Sequence, residues 1–404
     1  MRILFLSPYV PSRIRVRPFN WVRTLCCRGH QITLMALQPP GDDAEALDGL
    51  SEMCAATHLV PHARWRTLWN GLSVLPTGQP IQMAYSRSPQ FAERLRRVQA
   101  QERFDVVHVE HLRGAILAEP VSGIPIVYDA VDSISLLFER VLESPPTPKS
   151  RLIARLDLGR TRRYEAQLGE RFDRVIVTSA ADRDTLIALA CDKRNGRRVE
   201  EDRYIVIPNG VDLDYFYFAP DDDRDPATLV FTGKMSYHAN VAAVLDLAQE
   251  VMPRVWQTAP ETRLCIVGKD PSEAVRALAK DPRITVTGTV PDIRPYLARA
   301  AIAVSPIRYG VGIQNKVLEA MAMGTPVVCT PQACSALAVE PGRDLLTGPS
   351  PDALARHILD LLSSPARRAE LGRAGRRFVE MHHSWDAQTA TLERVYESAI
   401  DTKR

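Results

Sequence analysis

The stretch Ile207–Gly233, "IPNGVDLDYFYFAPDDDRDPATLVFTG", decides how the chain divides. Pro208-Asn209-Gly210 is a turn, and the acidic run from Pro220 to Pro226 is flanked by prolines, as a linker should be. On both sides of it, short apolar runs alternate with helical patterns, the signature of parallel sheets covered by helices. Upstream, strands are expected at Arg2–Leu6, Gln31–Ala36, Ala56–Val60, Val106–Val109, Ile124–Tyr128, Arg174–Val177 and Tyr204–Ile207. Downstream a fresh series is expected at Leu229–Thr232, Arg263–Val267, Ile284–Thr287, Ile302–Ser305 and Pro326–Cys329. Helices such as Arg17–Arg28 and Ala181–Ala190 fall between strands. Three more, near Pro351–Leu362, Ala366–Met381 and Trp385–Ile400, close the chain. The expected fold class is therefore α/β, with two doubly wound domains whose ligands lie outside the carboxyl ends of the strands.

Length agrees, because 404 residues exceed one ordinary core and suit two domains of roughly 150–200 residues. The composition is 45% hydrophobic and 25% charged, that of a globular protein. The opening "MRILFLSPYV" reads as a buried first strand, since its apolar run is short and no small-residue cleavage site follows. No window of roughly 18 apolar residues predicts a transmembrane helix. The seven cysteines show neither CxxC nor Cys/His metal spacing, which predicts reduced thiols, a cytoplasmic protein and no metal site. Net charge is +3, with basic residues scattered and aromatics few, so no nucleic-acid partner is expected.

The residues just after each strand are the candidates for chemistry. In "NKVLEAMAMG", Glu319 lies in a helix with almost no polar face, and a buried carboxylate needs donors. The hydroxyls of a ribose would serve, and so would a structural salt bridge. Lys316 stands in the first turn of that helix, where the macrodipole disfavours a cation unless an anion also binds. In "LVFTGKMSYHAN", Gly233 permits a tight strand-end turn and Lys234 projects over the strand ends, where a diphosphate would lie. His238 lines or caps the same loop. Arg308 and Tyr309 follow the strand "AIAVSP", and Gly288 to Val290 follow another. In the first domain, "SPYVPSRIRVRP" puts Arg13, Arg15 and Arg17 ahead of a helix, "HVEH" supplies His108, Glu110 and His111, and "YDAVD" supplies Asp129 and Asp132. Solvated basic loops and structural histidines are the ordinary alternatives. No Ser-His-Asp spacing or HExxH supports a hydrolase.

Taken together, "PNGVDLDYF" (208–216), "LVFTGKMSYHANVAAV" (229–244), "LCIVGKDP" (264–271), "VTGTVPDIRPYLARAAIAVSP" (286–306) and "GVGIQNKVLEAMAMGTPVV" (310–328) resemble the retaining glycosyltransferases of family 4, of GT-B fold. The resemblance runs over nearly the whole chain and is nearest to bacterial members of exopolysaccharide or cell-envelope glycan synthesis. It implies an N-terminal acceptor-side domain, 1–216, a donor-binding domain, 217–384, and a C-terminal helix, 385–404, that packs back on the first domain. It implies a nucleotide-sugar donor, a glycan or lipid-linked acceptor and no metal or other cofactor. Glu319 would bind the ribose hydroxyls, the Val290 loop the base, Lys234 the diphosphate, and Gly312, Ile313, Gln314 and Asn315 phosphate or sugar, with Gly233 and Arg308 beside them. Lys234, Lys316, Asp129 and Asp132 would serve the chemistry, and Arg13, Arg15, His108, Glu110 and His111 the acceptor.

Three positions depart from the family pattern. Val311 stands where relatives carry the first of two glutamates, Ala239 replaces the second basic residue of G-R-x4-K, and Val131 replaces a first-domain histidine. "IRVRP" also replaces a glycine pair, which adds positive charge suited to an anionic or lipid-diphosphate acceptor. The stretch 151–172 reads as a long basic amphipathic helix, with seven arginines between Arg151 and Arg174, and it can rest on an anionic membrane or serve as an ordinary solvated helix. A catalytically weak nucleotide-sugar-binding scaffold, a sugar-nucleotide epimerase and a phosphorylase are the alternatives on the same fold. The "NKVLEAMA" helix argues for transfer over epimerisation.

Overall fold

A computed structural model of the chain describes residues 1–404 except 14, 41–46, 48, 75, 144–147, 192–198, 221–222, 309–312 and 404. The described chain forms two compact units, Met1–Pro208 with Trp385–Arg404, and Asn209–Ser384. The first carries a seven-stranded sheet in the order β3-β2-β1-β4-β5-β6-β7. Its strands are β1 (Arg2–Ser7), β2 (Gln31–Gln38), β3 (Ala56–Pro61), β4 (Val106–Glu110), β5 (Ile126–Val131), β6 (Arg174–Val177) and β7 (Tyr204–Val206). Every neighbouring pair is parallel.

β1 shows why the sheet is covered on both faces. Ile3 and Phe5 pack with Trp21, Leu25 and Trp385, whereas Leu4 and Leu6 pack with Phe91, Leu95 and Leu112. A strand buried on both sides reads as an unbroken apolar run. Helix Trp385–Lys403 belongs to this unit. Trp385 meets Trp21 edge-on at 4.9 Å, and the hydroxyls of Thr24 and Thr389 share a 2.6 Å hydrogen bond.

The second unit carries a six-stranded parallel sheet, β10-β9-β8-β11-β12-β13. Its strands are β8 (Asp225–Thr232), β9 (Arg263–Val267), β10 (Ile284–Val286), β11 (Ala300–Ser305), β12 (Val327–Cys329) and β13 (Leu346–Thr347). β13 has only two residues, too few for a sequence pattern, and was not expected.

Four features differ from the sequence expectation. The units part after Pro208 rather than after Phe216, because the intervening segment is tied to the second unit. Val211 N–H donates to the His383 carbonyl at 2.7 Å and Ala219 N–H to that of Met323 at 3.0 Å. Nor is the acidic run a free linker: Arg224 is buried and donates to the carbonyls of Ala219, Leu297, Ala298, Ala300 and Met323, and β8 already begins at Asp225. One guanidinium thereby gathers carbonyls from several elements, which a charge count alone does not reveal.

β5 runs two residues later than expected at its start and continues to Val131, with a register shift between Asp129 and Val131. Val131 sits at φ 66, a strained position for a β-branched residue. The expected long helix over 151–172 is two helices, Pro148–Glu165 and Leu168–Arg171. Among the described residues no helix is long and apolar enough to cross a membrane, and no cysteines are paired.

Candidate active site

In the second unit, the turn after β8 and the helix Asn315–Ala322 meet through side chains. Lys316 Nζ donates to Asn240 Oδ1 at 2.6 Å, and Asn240 Nδ2 donates to the Lys234 carbonyl at 2.9 Å. The Lys316 ammonium also lies 5.1 Å from the centre of the Phe231 ring, a cation–π distance. Gly233 makes this junction possible: a Cβ there would stand 2.8 Å from Asn240 Nδ2 and 3.4 Å from Lys316 Cε. Asn240 was missed at the sequence level. Its signal was an amide in the first turn of helix His238–Asp246, followed by the apolar run Val241–Leu245.

Glu319 stands one helical turn beyond Lys316. Burial raises its carboxyl to about 7, and Lys316 draws it back. Burial likewise lowers Lys316 to about 8, with Glu319 opposing the shift. Among the described residues nothing donates a hydrogen bond to the Glu319 carboxylate. Both groups are half-buried and lose hydration, yet Glu319 keeps its acceptor capacity for something else.

The other expected donor-side residues fall as follows. Lys234 is exposed. Ile313 is buried, Gln314 caps the helix start without a side-chain bond, and Asn315 Oδ1 accepts from Asn209 Nδ2 at 3.2 Å, so Asn315 is tied to the Pro-Asn-Gly turn. His238 opens its helix, half-buried. The Val290 side chain is half-buried on the core and lines a cavity of about 530 Å³ with the first residues of β8 and β9. Arg308 is exposed, and its Nε pairs with Asp246 at 3.0 Å. Gly312, with Tyr309, Gly310 and Val311, lies outside the described residues.

Gly268 supports the same junction. It follows β9 at φ 151, and a Cβ there would collide with the Gly233 carbonyl oxygen. Gly268→Ala is therefore expected to destabilise the second unit by roughly 2 kcal/mol or more, read as a lower unfolding midpoint in calorimetry.

In the first unit, the carboxyl ends of β1, β4 and β5 gather Tyr9, Glu110, His111 and Asp132. Tyr9 donates its hydroxyl to Glu110 Oε1 at 3.0 Å, while Glu110 Oε2 is buried with no partner among the described residues. Burial, reinforced by Asp129, raises the Glu110 carboxyl to about 8. His111 takes φ 65, and burial and Arg113 lower it to about 3, which keeps it neutral. Asp132 accepts from Thr178 at 3.0 Å and is raised to about 6 by burial and Asp182.

Beneath them lies a buried polar lattice that corrects several expectations. Asp129 is fully buried, and its Oδ2 accepts from Arg17 Nε at 2.7 Å and Trp21 Nε1 at 3.0 Å, its Oδ1 from Val131 N–H at 3.1 Å. It orders the strand end and is not presented to a substrate. His108, expected at the acceptor, is a core residue stacked on Phe5 at 4.4 Å and hydrogen-bonded through Nδ1 to Tyr396 at 2.8 Å. Burial lowers it to about 4. Arg15 donates to the Val10 carbonyl at 2.9 Å and lies 4.3 Å over the Tyr9 ring, and Arg13 lies 5.5 Å over Phe19. Both therefore shape the loop after β1. Among the described residues no three His, Cys, Asp or Glu side chains group as metal ligands do.

Two family models match the chain: "Glycosyltransferase Family 4" over residues 16–215 and "Glycosyl transferases group 1" over residues 226–364. A GDP-mannose-dependent monoacylated alpha-(1-6)-phosphatidylinositol monomannoside mannosyltransferase of Corynebacterium glutamicum is 30% identical over 213 residues, 48% of this chain and 55% of that one. The chain thus aligns with about half the length of that relative. A D-inositol 3-phosphate glycosyltransferase 2 of Catenulispora acidiphila is 26% identical over 74% of this chain and 72% of its own. Among solved structures, a sucrose-phosphate synthase from Thermosynechococcus elongatus superposes with a TM-score of 0.69 at 18% identity, covering 100% of both chains. Anabaena HepE in complex with UDP-glucose gives 0.65 at 16% identity, covering 98% of this chain and 100% of that one. The two parallel-sheet units, with these likenesses, show the GT-B fold, and the chain belongs to glycosyltransferase family 4.

Proposed function

We propose that the protein transfers a sugar from a nucleotide-diphosphate sugar to a glycan or lipid-linked acceptor in polysaccharide or cell-envelope synthesis, with retention of configuration and without a metal. The observation that carries this reading is the half-buried Glu319 carboxylate, which accepts nothing from the described protein and stands beside Lys316 at a helix start. A vicinal diol such as a ribose presents two hydroxyl donors to such a group. Lys316 and the exposed Lys234, with the free N–H groups of the helix start, supply positive potential for the leaving diphosphate. In this reaction the bond from the anomeric carbon to the phosphate oxygen breaks on the face where the acceptor oxygen forms its new bond. The acceptor proton passes to the departing diphosphate.

On the acceptor side, Glu110, His111 and Asp132 share one end of the first sheet, with Asp129 and Arg17 positioning them from beneath. The activities for which those two relatives are named, on a phosphatidylinositol mannoside and on inositol 3-phosphate, favour a polar or lipid-linked hydroxyl acceptor.

The test is a panel of radiolabelled nucleotide sugars offered to the wild type and to Glu319→Ala. Transfer or donor hydrolysis by the wild type, with binding lost in the variant, is the expected result. Binding without turnover would instead make the protein a nucleotide-sugar-binding scaffold, and absence of binding to every donor would sink both readings.

A further inference from the structure

Helix Arg64–Ser73 of the first unit turns its apolar side outward. Trp65, Leu68, Trp69 and Leu72 follow at i, i+3, i+4 and i+7, so they share one face. Their exposures are 63%, 71%, 68% and 62%. Folded proteins bury such a stripe unless something else covers it. A second helix, Pro148–Glu165, exposes Leu152, Ile153 and Leu156. The two are joined through the short helix Ile81–Ala84: Asp157 accepts from Ile81 N–H at 2.9 Å, and a Cβ on Gly71 would lie 3.7 Å from Ile81 Cγ2.

Charge chooses the occupant. No Asp or Glu occurs between Glu52 and Glu93, a stretch that contains Arg64, Arg66 and Arg87. The two carboxylates of helix Pro148–Glu165, Asp157 and Glu165, are both buried and hydrogen-bonded to backbone N–H groups, whereas Arg151 and Arg155 are exposed. The surface therefore combines exposed tryptophan and leucine with arginine and offers no exposed carboxylate on either helix. A second copy docked about a two-fold axis would bring these arginines against each other. Anionic lipid meets both requirements, with acyl chains for the apolar stripe and headgroups for the arginines. Tryptophan suits this depth, since its ring is apolar and its N–H is a donor.

We propose that helix Arg64–Ser73, flanked by the first turns of Pro148–Glu165, lies in the headgroup region of an anionic membrane. Helix Pro148–Glu165, whose sequence suits either a membrane surface or an ordinary solvated face, contributes the rim, while the insertion comes from Trp65 and Trp69. This inference concerns a surface and stands apart from the transferase reading, because it needs no donor or acceptor.

The experiment is co-sedimentation of the full chain with vesicles of mixed phosphatidylglycerol and phosphatidylcholine, alongside phosphatidylcholine alone. Binding to the anionic vesicles that weakens with salt is expected, together with a blue shift of tryptophan emission. Trp21 and Trp385 are buried and Trp256 is half-buried with its indole N–H bonded to the Thr262 carbonyl, so the part of the shift that is lost in the double tryptophan variant below reports Trp65 and Trp69. Trp65→Ser with Trp69→Ser should lower the bound fraction at least about tenfold without altering circular dichroism. Arg151→Glu with Arg155→Glu should remove the preference for anionic lipid. Absence of vesicle binding overturns the proposal, and so does equal binding by wild type and the double tryptophan variant. A concentration-dependent dimer abolished by the tryptophan changes, without vesicle binding, would assign the stripe to a second copy instead.

Discussion

Glu319→Gln is expected to weaken nucleotide-sugar binding by roughly tenfold to a hundredfold while raising the thermal stability of the same protein above neutral pH. The binding loss follows from the loss of a charged acceptor, since a hydrogen bond to a charged group contributes about 1.5–3 kcal/mol. The stability gain follows from linkage. Burial places the Glu319 carboxyl at about 7 in the fold, above its usual 4.5. Between those values the folded state holds a proton that the unfolded chain has released, so stability falls as pH rises through this window and then levels off. The variant should match the wild type below about pH 4.5 and exceed it above pH 7 by about 1–2 kcal/mol, after allowing for partial exposure and for the attraction of Lys316. Thermal unfolding across a pH series, with calorimetric titration of the donor at pH 7.5, reads both effects. Unchanged donor affinity in Glu319→Gln would remove Glu319 from the site.

The largest loss of stability is expected from Asp129→Ala. The change leaves the Arg17 guanidinium in the core without its ion-pair partner and strips acceptors from the Trp21 indole and the Val131 N–H. Removing one member of a buried ion pair costs about 3–5 kcal/mol, mostly through the charge left behind. The Ile207 carbonyl, which accepts from Arg17 at 3.0 Å, does not replace the lost carboxylate charge. Asp129→Asn should cost less, because it keeps an acceptor oxygen for the indole. The double change Arg17→Met with Asp129→Asn should fall well short of the sum of the single losses, since neither charge then remains. Denaturant unfolding of the wild type, Asp129→Ala, Asp129→Asn, Arg17→Met and the double variant checks this. If Asp129→Ala abolished transfer with no loss of stability, Asp129 would act on substrate, as its place after the expected strand Ile124–Tyr128 suggests.

The two predictions differ in how much of their basis the sequence showed. Glu319 stood out because a single carboxylate in "NKVLEAMAMG" conflicts with its apolar neighbours, and such a conflict is local. Asp129 stood out equally as an acidic residue after a strand, yet its partners come from positions 17 and 21, over a hundred residues away. Nothing at residues 126–132 announces them. His108 misled for the same reason, since Tyr396 and Phe5 take up its ring from distant parts of the chain. Asn240 was overlooked because an amide near a helix start usually caps it, whereas here it links the Lys234 carbonyl to the Lys316 ammonium.

By itself the sequence determined the two parallel-sheet units, nearly every strand, the C-terminal helix and the helix Asn315–Ala322, because period, turn residues and buried-strand composition act over neighbours. The tertiary structure decided where the units part, which polar residues are committed to one another and which remain for a ligand. It also decided that the tryptophans of helix Arg64–Ser73 face outward. Those outcomes depend on desolvation and on pairing between remote segments. The energy of a charge or an indole is set by what folding brings beside it, and that is written nowhere in its own stretch of chain.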